Sequence, residues 1–196
     1  MSLFNPDPNQ PAWWMLMPTD DDLQQATEVQ RNLWMALNAK ISRIHSAWAN
    51  LELHLALLFS AVLRIKIAEA QVILGTLTAN RPKRDLIMNC AKLSIMNMDK
   101  VKIIERLLRR TAKAASKRNF LAHGMAAYHQ KYPDCVTVSG ISADLEPALS
   151  HYIAFSEKDL KAIYDTISKI SEDIYETLPI IWRARRRSLP QTPIQK

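Results

Sequence analysis

"IHSAWANLELHLALLFSAVL", residues 44–63, decides the fold. Ile44, Trp48, Leu51, Leu55, Leu58 and Val62 recur at steps of four, three, four, three and four. That is the spacing of one face of an α-helix, and such a face needs a core to cover it. The helical pattern extends back to "TDDDL" at 19–23, which offers capping side chains and then acids for a first turn, with a break expected near Asn38.

Before that helix, Pro6, Pro8, Pro11 and Pro18 rule out regular helix over 1–19. Trp13 and Trp14 make this an extended arm, with the tryptophans as anchors onto the body or a partner subunit. After the first helix, residues 68–98 read as helix interrupted at Gly75 and at "TANRPKR", 78–84, where Pro82 opens a new segment. Residues 99–122 form the next long helix. "MAAYHQKYPDCVTVSGI", 125–141, changes character and predicts a short hairpin around the "YPD" turn. A last helix follows in "FSEKDLKAIYDTISKISEDIYETL", 155–178. Ser156 and Asp159 form its capping box, and Leu160, Ile163, Ile167, Ile170, Ile174 and Leu178 its apolar stripe. Pro179 is expected to disturb its end.

No internal repeat is evident. The expected architecture is therefore all-α: three or four long helices in a bundle, with a small β-hairpin insert. The expected organisation is an arm over 1–19, a helical domain over 20–183 and a basic, flexible tail over 184–196.

Composition narrows the function classes. Lys and Arg number 26 against 19 Asp and Glu, a net charge of +7, which suits a polyanionic partner such as nucleic acid. Cys90 and Cys135 stand in no CxxC pair, so zinc-ribbon and thioredoxin chemistry lack support and ordinary thiols in a reducing compartment are expected. No apolar run is read as reaching the roughly 18 residues of a membrane span, and "MSLFNPDPNQ" lacks the features of a signal peptide. The expected location is the cytoplasm, with no membrane partner. The sequence holds no HExxH, no Gly-rich phosphate loop and no GxSxG, so no metal, NTPase or serine-hydrolase site is expected, and no cofactor. His45 and His54 read as packed structural residues; His129 and His151 are scattered.

"KRNFLAHG", 117–124, carries the sharpest functional signal. On a helix over 102–123, Lys102, Arg106, Arg109, Arg110, Lys113 and Lys117 fall on one side. Ile104, Leu107, Leu108, Thr111, Ala114, Ala115, Leu121 and Ala122 fall on the other. The basic side is either a solvated face or a phosphate-binding surface. Arg118 breaks the pattern, because it lies in the apolar arc with Thr111, Ala115 and Ala122. A guanidinium cannot discard its charge, so it needs an anionic partner or a wet site. Asn119 and His123 share a face if the helix continues, whereas Arg118 and His123 diverge by roughly 140°. Those two converge on one ligand only if the helix distorts near Gly124 or if two protomers face each other. Plainer roles exist. Gly124 could be a left-handed cap beside His123 at the helix C-terminus, and Arg118 could pair with Glu52.

"RNFLAHG" resembles the R-N-x-x-x-H form of the Rx4-6H motif of the HEPN superfamily. "HSAWANLELHLALLFSAVL", 45–63, is similar to the first helix of many bacterial HEPN-like proteins, which often carry a tryptophan and a glutamate at this spacing. The likeness covers about residues 40–183. It implies a four-helix domain that dimerises so that two motifs line one cleft, and metal-independent RNA cleavage there. Arg118, Asn119 and His123 would be catalytic, with Glu52 supporting and Arg106, Arg109, Arg110, Lys113 and Lys117 holding RNA. A histidine can carry a proton to or from the ribose 2′-hydroxyl, and an arginine can clamp the phosphate, leaving a 2′,3′-cyclic phosphate end. The resemblance also implies a toxin–antitoxin or abortive-infection role against phage, with an antitoxin or regulatory protein as a further partner. Other family members lack catalysis and bind RNA or partner proteins. Both readings, and a purely structural one with Arg118 paired to Glu52, stand open at the level of sequence.

Overall fold

A computed structural model of the chain describes residues 28–127, 134–139 and 152–186. The arm, the "TDDDL" start, the "YP" of the expected turn, His129, His151 and the chain beyond 186 lie outside the described residues. The elements in order are α1 (Glu28–Leu63), α2 (Ile67–Gly75), α3 (Asn80–Ser94), α4 (Met98–His123), β1 (Met125–Ala127), β2 (Cys135–Ser139), β3 (Tyr152–Ser156) and α5 (Glu157–Arg186). The described chain is mostly helical, as the apolar stripes predict.

Two departures from expectation concern helix ends. α1 runs without a break through Asn38, whose carbonyl accepts a hydrogen bond from Ser42 Oγ at 3.2 Å. α5 passes straight through Pro179 to Arg186, beyond the expected domain end at 183. Proline removes one backbone donor, but Ile174, Thr177 and Ile181 remain buried on either side of it, so continued burial carries the last turns. Pro82 lies in the first turn of α3, as expected for a residue with no N–H to lose there.

The described chain falls into two compact units, and α1, α4 and α5 each contribute to both. The first unit comprises 28–46, 116–127, 134–139 and 152–165. Here the expected hairpin is part of a three-stranded antiparallel sheet, ordered β1-β2-β3. Met125 pairs with Ser139 and Ala127 with Thr137; Cys135 pairs with Ser156 and Ser139 with Tyr152. Val136 and Val138 of the central strand are buried together with Leu37, Ile41, Ile44, Leu121, Phe155 and Leu160. Phe120 and Phe155 meet at a ring separation of 6.2 Å. β3 leads directly into α5 through a reciprocal cap. Ser156 N–H donates to Asp159 Oδ2 at 3.0 Å, and Asp159 N–H donates to Ser156 Oγ at 3.2 Å. The Ser156 hydrogen bonds hold the Asp159 carboxyl below its ordinary range, aided by nearby Lys158 and Lys117 against a smaller opposing effect of burial. Lys40 pairs with Glu157, and the Arg43 guanidinium stacks 5.5 Å from the Tyr164 ring.

The second unit comprises 47–115 and 166–186 and is built from helices alone. Trp48, Leu51, Leu55, Leu58 and Val62 of α1 are buried with Ile87 and Ala91, Ile104 and Leu107, and Ile167, Ile170 and Ile174. α1 ends at Arg64, whose φ of 60° is left-handed; Ser60 Oγ donates to the next carbonyl, Ile65 O, at 2.7 Å. By length and apolar composition, Met35–Leu63 of α1 could cross a membrane, contrary to the sequence expectation. Half of its most apolar window is buried inside the protein, so this helix serves as core.

Candidate functional site

α4 delivers the motif. Its apolar stripe holds Ile104, Thr111 and Ala115 in the interior, and Thr111 satisfies its own hydroxyl by donating to Leu107 O at 3.0 Å. One and two turns further, Arg118 and Ala122 are only half-buried, and the Arg118 Nε is itself shielded from solvent. Arg118 Nη1 donates to Asn119 Oδ1 at 3.2 Å, which fixes the amide beside the cation. Asn119 and His123 are both exposed. The helix stays regular through His123, so the two share a face and no distortion swings His123 toward Arg118.

Gly124 is not a left-handed cap: no glycine among the described residues has positive φ. Instead Gly124 N–H donates to Phe120 O at 3.0 Å, and the chain enters β1 at the next residue. The immediate demand of an extended strand replaces the reversal that a left-handed cap would produce.

His45, read from the sequence as a packed structural residue, is close enough to the motif to feel its charges. It lies on α1 in the same unit, half-buried. Burial first, then the positive charges of Arg118 and His123, lower its pKa below the ordinary histidine value. The neutral imidazole of His45 is therefore favoured. Nothing local in "RIHSA" signals this, because only the fold brings α1 to the end of α4. His54, by contrast, is the structural histidine expected: its Nδ1 lies 2.9 Å from Asn50 O and its ring meets Tyr175 edge-on.

Glu52 belongs to the second unit, where Lys83 Nζ donates to its Oε1 at 3.2 Å. The basic residues of α4 also separate by partner. In the second unit, Arg110 is engaged by Asp173 of α5, which Lys169 also approaches at 3.3 Å. Burial would raise the Asp173 carboxyl, but the hydrogen bonds from Arg110 and Lys169 outweigh it and hold the pKa low. Arg106, Arg109 and Lys113 are exposed and have no ion pair among the described residues. Lys117, in the first unit, is exposed and contributes positive charge near Asp159. Among the described residues, no group of three or more His, Cys, Asp or Glu side chains is placed to hold a metal ion. Both cysteines are free, and burial pushes the Cys135 thiol up, aided by Asp134 and Asp159.

Set beside protein families, curated proteins and solved structures, the chain matches none of them.

Proposed function

We propose that this chain is a metal-independent RNA endonuclease of the HEPN type, with Arg118, Asn119 and His123 at its active site. The observation that carries this reading is the exposure of His123 in the unit where His45 lies within electrostatic reach of both His123 and Arg118. A proton carrier must reach solvent and substrate, and a sealed His123 could not act. The step needs no external reactant. The 2′-oxygen gives its proton to an imidazole and bonds to phosphorus. The P–O5′ bond breaks, and the departing 5′-oxygen takes a proton from a second carrier. Arg118 offsets the charge that grows on the phosphate oxygens. His45, favoured as the neutral imidazole, is suited to accept a proton; a second motif in a homodimer is the other source of a carrier. The homodimer cleft, the 2′,3′-cyclic phosphate product, the toxin–antitoxin or anti-phage setting with its antitoxin or regulatory partner, and the cytoplasmic location rest on the family resemblance.

A second reading is favoured by Arg106, Arg109 and Lys113, which are exposed and not ion-paired among the described residues. A non-catalytic helical dimer that binds RNA or a partner protein needs only such a surface. Incubating the purified chain with RNA in excess chelator separates the two. Cleavage under those conditions supports the enzyme; salt-sensitive binding with no cleavage supports the binding module.

A further inference from the structure

The corner between α3 and α4, "KLSIMNMDKVK" at residues 92–102, turns apolar side chains outward. Leu93 is 88% exposed and Met96 85%, the two most exposed large apolar side chains among the described residues, and Met98 follows at 60%. The corner is held from beneath. Ala91, Ile95 and Val101 are buried, and Ile95 N–H donates to Ala91 O at 3.0 Å. Asn97 Oδ1 caps α4 by accepting from the N–H groups of Asp99 at 3.0 Å and Lys100 at 3.3 Å. The end of α5 lies alongside: Lys100 Nζ donates to Ile180 O at 3.4 Å, and Ile180 and Trp182 are exposed on either side of buried Ile181. All of these residues belong to the second unit. The same two stretches, 92–102 and 180–183, carry Lys92, Lys102 and Arg183, all exposed. Their one acid is Asp99, which Lys102 approaches at 3.5 Å.

An isolated surface leucine needs no explanation, but an apolar cluster on a braced turn, bordered by cations, does. Side chains this exposed project from the surface, so they do not wall a groove for a peptide. Aliphatic and thioether groups gain nothing from phosphates or sugars, which counts against RNA as the occupant. A second copy meeting this face across a two-fold axis would set like cations opposite one another. An anionic bilayer answers both halves of the chemistry. Its acyl boundary takes the apolar side chains, Trp182 suits the interface, and the headgroup charge attracts the lysines. We propose that the α3–α4 corner and the end of α5 form a peripheral docking site for an anionic lipid surface, entered by Leu93, Met96 and Met98. Such attachment uses no spanning helix, and it replaces the sequence expectation of no membrane partner. It stands independently of the RNA reading.

The test is co-sedimentation of the full chain with vesicles of equal phosphatidylglycerol and phosphatidylcholine, and with vesicles of phosphatidylcholine alone. Wild type is expected to bind the mixed vesicles, and the neutral ones at least roughly tenfold more weakly. Leu93→Ser and Met96→Ser are each expected to weaken binding roughly tenfold, with melting temperature unchanged because both side chains stand in solvent. Lys102→Gln should weaken it roughly fivefold. Met96→Trp reports insertion directly: brominated lipid should quench its emission beyond the quenching of wild type. If the serine variants fail to fold, this arm decides. Absence of wild-type binding to the mixed vesicles overturns the proposal, as does Met96→Trp without added quenching. Binding that survives both serine variants yet disappears in high salt assigns attachment to charge elsewhere on this basic chain and overturns it too. A wild-type dimer that Leu93→Ser converts to monomer, with vesicle binding unchanged, makes the face a contact between copies and likewise overturns it. Each of these outcomes leaves the RNA reading intact.

Discussion

Arg110→Ala tests whether the structure has sorted the basic residues of α4 correctly. Arg109 and Arg110 are neighbours in sequence, and both were candidates for RNA contact. In the fold, Arg109 is exposed, whereas Arg110 pairs with Asp173, their side chains 38% and 23% exposed. A charge-assisted hydrogen bond contributes about 1.5–3 kcal/mol, and an exposed ion pair about 0.2–1 kcal/mol. With the guanidinium more than a third exposed, solvent screens the pair, and Lys169 remains to serve Asp173 after Arg110 is lost. The expected cost is therefore about 1–2 kcal/mol, a fall in melting temperature of roughly 3–6 °C for a chain of this size. The sign with pH follows from the lowered Asp173 pKa. Its stabilisation is complete above the ordinary carboxylate range and disappears as pH falls through the folded-state value. The gap between wild type and variant should narrow in acid. Circular-dichroism melts from neutral pH down to about pH 3 measure this, and RNA titrations run alongside. Arg110→Ala should lose stability and keep RNA affinity; Arg109→Ala should do the reverse. Equal melting of wild type and Arg110→Ala, with affinity lost as in Arg109→Ala, would refute the reasoning.

Ser156→Ala removes one half of the α5 cap and should cost about 1 kcal/mol in a denaturant titration; because Asp159 is held low by Ser156, the penalty should shrink as pH falls through the carboxylate range. His45 should titrate below the ordinary histidine value by NMR and move upward in Arg118→Ala; an unchanged titration would mean the two do not interact. With its folded pKa lowered, His45 binds a proton more readily in the unfolded chain, so it makes the protein less stable as pH falls below about 6.5. Ile167→Ala, at a fully buried position, should cost about 2–5 kcal/mol, and a loss under 1 kcal/mol would contradict the packing described.

Features encoded within four residues of themselves were legible in the sequence. Ile44, Trp48, Leu51, Leu55, Leu58 and Val62 are all buried, as their spacing predicts. The Ser156–Asp159 box forms both expected bonds. β3 was not read, because "YIAFS" runs straight into the α5 cap and its strand character depends on pairing with β2. Continuation through Pro179 depends on burial at Thr177 and Ile181, which outweighs the lost backbone bond. Partner choice was the least legible. No local pattern tells Arg110 from Arg109, directs Glu52 to Lys83, or places His45 near Arg118, because each outcome depends on which helix packs alongside. Within the motif, periodicity placed Arg118 in the apolar arc, and the structure holds it half-buried there, with its Nε shielded from solvent.

The central claim is that Arg118 and His123 cut RNA. The most direct measurement maps RNA ends after incubation with wild type, Arg118→Ala and His123→Ala, each first shown to melt cooperatively. The account predicts 2′,3′-cyclic phosphate and 5′-hydroxyl ends with wild type, and a loss of at least about a hundredfold in each variant, the usual scale for removing a general acid–base or charge-stabilising group. Cleavage that persists undiminished in His123→Ala, or no cleavage by the wild-type chain, would contradict it.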